Sequence, residues 1–198
     1  ANDHLKDDME MIRERLLEVS QDDINYNEIE KYLNILTEDG SWNDINYSDK
    51  TRDDWDPRNH VQRLEKMVLY YKNNNLDEEK RKRLKNKIMS AYNYWLEKDP
   101  VSENWWHNEI GIQKHFRVVL LNMKEELSEE ELNNGIEVLK QSGEPRKTGQ
   151  NLVDITMIYI WRGIIEEDPM IVEKGFKRLA EEIKITTDEG IQPDYSFH

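Results

Sequence analysis

Apolar residues recur along this chain at the three- and four-residue spacing of an amphipathic helix, and no window alternates like a half-buried strand. The spacing predicts roughly eight helices with short connections. The predicted fold class is therefore all-α, with antiparallel helical hairpins forming a bundle, a superhelical repeat or part of an α/α toroid. Periodicity does not choose among these three. The absence of a tetratricopeptide-like repeat of about 34 residues disfavours the superhelix.

Local signals give approximate bounds to these helices. Pro57 suits a first helical turn, Asp99-Pro100 stops a helix, and Ser128 with Glu131 is a capping-box start. The predicted ranges are 4–19, 27–36, 57–73, 77–98, 106–123, 128–141, 152–166 and 169–184. Between the second and third lies a stretch, 39–58, rich in Asp, Asn and Ser. It also holds Trp42, Ile45, Tyr47 and Trp55, which predicts an ordered loop held by aromatic side chains.

Composition excludes several classes of function. The 198 residues carry 28 Lys and Arg against 42 Asp and Glu, a formal charge of −14 that disfavours nucleic acid and anionic membranes as partners. The chain has no Cys, which removes thiolate chemistry and disulfides. No stretch approaches the roughly 20 apolar residues of a membrane span. The length and the 36% hydrophobic content predict one folded domain.

The densest cluster of chemically useful side chains is NWWHNEIG, residues 104–111. Neighbours on a helix point about 100° apart, so Trp105 and Trp106 cannot both belong to one core stripe. They are either core aromatics or a platform for sugar rings, with the Asn104 amide bonding sugar hydroxyls. A second cluster is RKTGQN at 146–151, in which Arg146 and Lys147 are either exposed cations of a turn or a local attraction for a polyanion. Asn151 there is either a helix N-cap or an amide donor to a substrate carboxylate.

Other constellations are weaker. The histidines lack the spacing of a zinc motif, so no metal site is predicted, and no glycine-rich phosphate loop indicates a cofactor. His198 and Tyr195 could exchange a proton, but a terminal position is poor for a catalytic group.

Taken together, these segments resemble polysaccharide lyase family 8, which contains chondroitin AC, hyaluronate and xanthan lyases. The likeness extends over about 36–198, and only the combination of motifs is specific. The matching segments are DGSWNDINYSD (39–49), WDP (55–57), NH (59–60), RL (63–64), NWWHNEIG (104–111), TGQNLVDI (148–155) and QPDYSFH (192–198).

The resemblance implies a secreted or periplasmic enzyme whose N-terminal domain is an incomplete α/α toroid, followed by a β-sandwich region. The implied reaction is β-elimination in an acidic polysaccharide, in which a base removes the C5 proton of a uronic acid and the C4–O bond breaks. Asn151 matches the amide that stabilises the substrate carboxylate, and Asn104, Trp105 and Trp106 match residues that hold the sugar.

In the family, the stretch matching QPDYSFH continues into Gln-His-Gly, which contains the catalytic His, and the catalytic Tyr follows later. We carry no catalytic role onto His198. Residues 1–198 are thus expected to be the first part of the toroid, inactive alone and prone to self-association through apolar surface left uncovered. The alternative is a non-catalytic helical module that binds glycans or a protein.

Overall fold

The computed structural model describes residues 2–20 and 24–182. The described part consists of helices joined by turns and loops, and its only β pairing is an isolated antiparallel bridge between Leu36 and Trp42. His198, Tyr195 and the QPDYSFH segment lie outside the described residues. None of the described helices is long and apolar enough to cross a membrane. The helices are α1 (Asn2–Val19), α2 (Tyr26–Ile35), α3 (Arg58–Asn73), α4 (Glu78–Lys98), α5 (Ile112–Met123), α6 (Glu129–Lys140), α7 (Gly149–Glu166) and α8 (Pro169–Glu182).

The helices pack as consecutive hairpins around three central members, α3, α5 and α7. Helix α3 contacts α4 and α5, α5 also contacts α6 and α7, and α7 packs along α8. The apolar stripes predicted for α3 and α4 are buried, as shown by Leu64, Val68, Ile88 and Trp95. The predicted capping box is present at Ser128 and Glu131, where α6 begins. The expectation of antiparallel helical hairpins is therefore confirmed.

Two helix starts differ from the prediction. The segment before α5 is a π-helical turn, His107–Gly111, closed by a hydrogen bond from the Ile112 N–H to the His107 carbonyl. Such a turn inserts one residue into the helical register, which the average spacing of apolar residues does not reveal. Helix α7 begins at Gly149, with Thr148 as its N-cap residue, so Asn151 lies within the first turn and is not the N-cap.

The aromatic loop between α2 and α3 is ordered, as predicted, around the buried His60. The Trp42 N–H donates to the Tyr47 hydroxyl (3.0 Å), and that hydroxyl lies 2.8 Å from Nδ1 of His60. On the other side of the ring, Nε2 is 2.7 Å from the Ala91 carbonyl in α4. A carbonyl can only accept, so Nε2 carries the proton and the Tyr47 hydroxyl donates to Nδ1. The neutral imidazole thus links the loop, α3 and α4.

The buried imidazole predicts a specific loss of stability in mild acid. Burial lowers the pKa of His60 to about 4 from its ordinary value of 6.5. The unfolded chain binds the proton more tightly, so this contribution is complete above pH 6.5 and disappears as the pH falls towards 4. Urea titrations at pH 7 and pH 4.5 should show a loss of about 2–3 kcal/mol from this group.

His60→Gln is the matched control for this titration. Glutamine retains a neutral N–H donor of similar reach towards Ala91 but does not titrate in this range. The variant should be less stable at pH 7 and should lose less stability on acidification. An equal loss in both proteins would assign the effect to other groups.

Candidate functional site

The two adjacent tryptophans lie on a segment that the aromatic loop holds in place. The Asn104 side-chain N–H donates to the Arg52 carbonyl (3.0 Å), and its oxygen accepts from the Trp106 N–H (3.1 Å). His107 is buried, with Nε2 at 3.2 Å from the Asp53 carbonyl. Asn104 thus caps the helical turn of the tryptophans, and much of its amide is engaged in structure.

Trp105 and Trp106 have different surroundings, as the angle between helical neighbours predicts. Trp105 is 39% exposed. Trp106 is half-buried against the core, with the Arg58 guanidinium 5.4 Å from its ring centroid. A Cβ at Gly111 would lie 2.7 Å from the Trp106 ring, so glycine is required for the indole to lie on the backbone there. Trp105 is the indole with a free surface, and Trp106 supports the segment.

The turn between α6 and α7 folds against this segment through three contacts. The Ser142 hydroxyl donates to the Glu109 carbonyl (2.5 Å), and the Arg146 guanidinium pairs with the Glu109 carboxylate. The Lys147 ammonium lies 4.4 Å from the centroid of the Trp105 ring. Both predicted cations are therefore beside the predicted aromatic platform, although Arg146 is already neutralised by Glu109.

The first turn of α7 is anchored by a carboxylate from α8. Glu182 is buried, with 7% of its surface exposed, and accepts a hydrogen bond of 2.9 Å from the Gly149 N–H. Gly149 has φ of +58°, a conformation that glycine adopts without strain. Asn151 follows on this anchored turn. Its side chain is half-buried and forms no hydrogen bond with the residues that the structure describes, so its amide can meet a ligand.

One turn further along α7, Asp154 joins α7 to α5. Its Oδ1 accepts from the Lys114 ammonium at 3.3 Å and from the Gln150 amide at 3.2 Å. Nearby, Arg117 stacks 4.6 Å above the Trp161 ring, and burial lowers its pKa to about 10. Arg117 therefore remains protonated at neutral pH, so Asp154 has cations near it in both Lys114 and Arg117.

The structure brings Lys147 to Trp105 and Arg146 to Glu109 of the same segment, and Asn151 follows four residues after Lys147 in the first turn of α7. It adds contacts that the sequence did not indicate, namely Arg58 at Trp106, Glu109 at Arg146 and Glu182 at Gly149. The last two span 37 and 33 residues, and no local pattern marks such pairs. Within 2–20 and 24–182, no group of three or more His, Cys, Asp or Glu side chains is arranged to hold a metal ion.

Comparison with known proteins identifies the family. The model of the polysaccharide lyase family 8 N-terminal alpha-helical domain matches residues 2–198. Chondroitinase-AC of Pedobacter heparinus is 33% identical over 172 residues, which cover 85% of this chain and 25% of that protein. The chain thus spans about a quarter of the length of this curated relative.

Solved structures agree on the fold. A chondroitinase AC lyase, studied in oligosaccharide complexes, superposes with a TM-score of 0.86 at 32% identity, covering 96% of this chain and 29% of that one. Xanthan lyase of Paenibacillus gives 0.79 at 18% identity, covering 97% and 21% of the two chains. The latter likeness concerns fold alone. The hairpins form part of an α/α toroid, and this chain belongs to polysaccharide lyase family 8.

Proposed function

We propose that this chain is the N-terminal part of the catalytic toroid of a lyase that cleaves uronic-acid-containing glycosaminoglycans by β-elimination. In this proposal, residues 1–198 hold the sugar on the aromatic platform of Trp105 and Trp106 and hydrogen-bond the uronate carboxylate through Asn151. Removing the C5 proton places charge beside a group that is already anionic, so a donor aimed at that carboxylate lowers the barrier. The base that takes the proton lies outside residues 1–198.

The single observation that carries the proposal is the contact between the exposed Trp105 indole and the Lys147 ammonium, 4.4 Å from the ring centroid, on the turn that leads into Asn151. Trp105 offers an apolar ring, Lys147 reaches it from the turn between α6 and α7, and the Asn151 amide follows four residues later in the first turn of α7. An apolar wall with few polar groups is the usual composition of a ligand site. Asn104, Trp106 and Arg146 support this surface through their contacts and complete the proposed substrate-binding set.

We base the proposed substrate class on the relative and on the Lys147 cation beside Trp105. The 33%-identical relative is a chondroitinase, which favours chondroitin over hyaluronan as the substrate.

A polymer of this kind is degraded outside the cytoplasm, so we place the enzyme in the periplasm or the medium. The proposed chemistry uses no cofactor. The outward-facing Met170 and Phe176 of α8 offer apolar surface for self-association of the isolated chain.

An absorbance assay tests the proposal. The unsaturated uronate formed by elimination absorbs in the ultraviolet, so product can be followed from chondroitin, hyaluronan and xanthan. We expect product from a version extended beyond residue 198 to the end of its gene product, and none from residues 1–198 alone. Turnover by residues 1–198 alone would contradict the proposal that the catalytic base lies outside them. Absence of product from both would favour a non-catalytic helical module that binds glycans or a protein.

A further inference from the structure

Lys147 has an unusual backbone for a residue with a side chain. Its φ is +77°, in the left-handed region that residues other than glycine seldom occupy. Two residues later, Gly149 has φ of +58° and is held by Glu182, while Thr148 between them is extended. This turn aims the Lys147 side chain at the Trp105 ring. Strained residues of this kind concentrate at ligand sites.

Arg146 and Lys147 differ in whether a carboxylate neutralises their charge. Arg146 is paired with the Glu109 carboxylate and also donates to the Ser142 carbonyl, so its charge is satisfied within the fold. Lys147 forms no ion pair with any described residue, and its only described charge contact is with the π face of Trp105. A cation–π contact at an exposed site is weak. A ligand anion can therefore bind the Lys147 ammonium with the loss of only this weak contact, whereas binding Arg146 would compete with Glu109.

Resting on the proposed function, we infer that Lys147 and Trp105 form one subsite for a sugar that carries an anionic group. The sugar ring stacks on the indole, and the ammonium exchanges its contact with the ring for the sulfate or carboxylate of that sugar. The flexible stem of lysine permits this movement without moving the anchored turn. Lys147 thus determines the preference for acidic over neutral sugars at this subsite.

Binding measurements on residues 1–198 test the inference. Calorimetric titration would use three hexasaccharides: chondroitin 4-sulfate, unsulfated chondroitin, and unsulfated chondroitin with its carboxyl groups reduced. Lys147→Met preserves side-chain length and removes the charge. It should weaken binding of an anionic hexasaccharide about five- to tenfold, flatten the salt dependence, and change binding of the neutral one less than about twofold. Lys147→Arg should restore most of the loss.

Lys80→Met is the charge-matched control, because it also removes one positive charge. Lys80 lies in the first turn of α4, about 27 Å along that helix from the end leading to Trp105. If Lys147→Met weakens binding of the sulfated hexasaccharide alone, the lysine contacts the sulfate. If it weakens binding of both acidic hexasaccharides equally, the lysine contacts the carboxylate. Equal effects of Lys147→Met and Lys80→Met would overturn the inference while leaving the platform intact.

Trp105→Ala separates this failure from failure of the proposed function. It should weaken binding of all three hexasaccharides, since stacking does not depend on charge. If the unsubstituted chain binds none of them, both the subsite and the proposed glycan cleft are wrong. A loss on Lys147→Met that is as large for the neutral sugar would also overturn the inference, because the lysine would then act by packing and not by charge.

Discussion

Asn151→Ala in the complete enzyme is expected to lower kcat by about 100-fold or more. The reason is that the uronate carboxylate loses a donor at the moment when negative charge develops beside it. The side chain is half-buried and has no hydrogen bond to a described residue, so its loss leaves little unsatisfied in the fold. The melting temperature should therefore change by no more than about 2 °C. Product absorbance and thermal unfolding on the same preparation measure both effects.

Gln150→Ala is the matched control for Asn151, since it lies in the same turn and bonds only Asp154 at 3.2 Å among the described residues. It should retain nearly all of kcat. Asn151→Asp sharpens the test by placing a carboxylate against the substrate carboxylate, and it should be at least as harmful as alanine. A kcat for Asn151→Ala within threefold of the unsubstituted enzyme would refute the role (a factor of about 3 is below what one such donor contributes).

Gly40→Ala should produce the largest loss of stability, about 3–4 kcal/mol. Gly40 has φ of +89°, and a Cβ there would lie 2.1 Å from the Ser90 carbonyl oxygen and 2.4 Å from its carbon. The obstacle is the backbone of α4, which cannot rotate away as a side chain can. The loop carrying Trp42 would have to retreat from α4. Urea unfolding at pH 7 measures the change.

Gly143→Ala measures the cost of a left-handed φ for alanine where no helix backbone lies in the way. Gly143 also has a left-handed φ, +72°, but its Cβ would meet only the movable Arg146 Nη1, at 2.8 Å. The expected cost is about 1 kcal/mol, due to the conformation alone. Equal losses at the two glycines would show that close approach to α4 contributes nothing.

Much of the fold was predictable because its elements are set by local periodicity. The stripe on α3 and the capping box of α6 are readable within one or two turns, and both are confirmed. The π-helical turn was missed because one inserted residue leaves the average spacing almost unchanged. The start of α7 was predicted too late because its first turn is fixed by Glu182, 33 residues away.

For the candidate site, the sequence separates the two tryptophans but does not distinguish the two cations. The angle between helical neighbours correctly separates Trp105 from Trp106, although only the structure shows which indole is exposed. Arg146 and Lys147 are equivalent in the sequence. They differ because Glu109 is brought back by the π-helical turn to meet one of them. Their contributions to substrate binding, with those of Asn104 and Asn151, stay predictions.

The carboxylate of Glu182 has a consequence for the order of folding. It comes from the last described turn of α8, whereas the N–H it accepts from begins α7, so the contact forms only when the two helices have closed into a hairpin. Until then the Gly149 N–H has solvent as its partner. The turn that presents Lys147 and Asn151 is therefore completed late, and a nascent chain acquires it only after residue 182 has been synthesised.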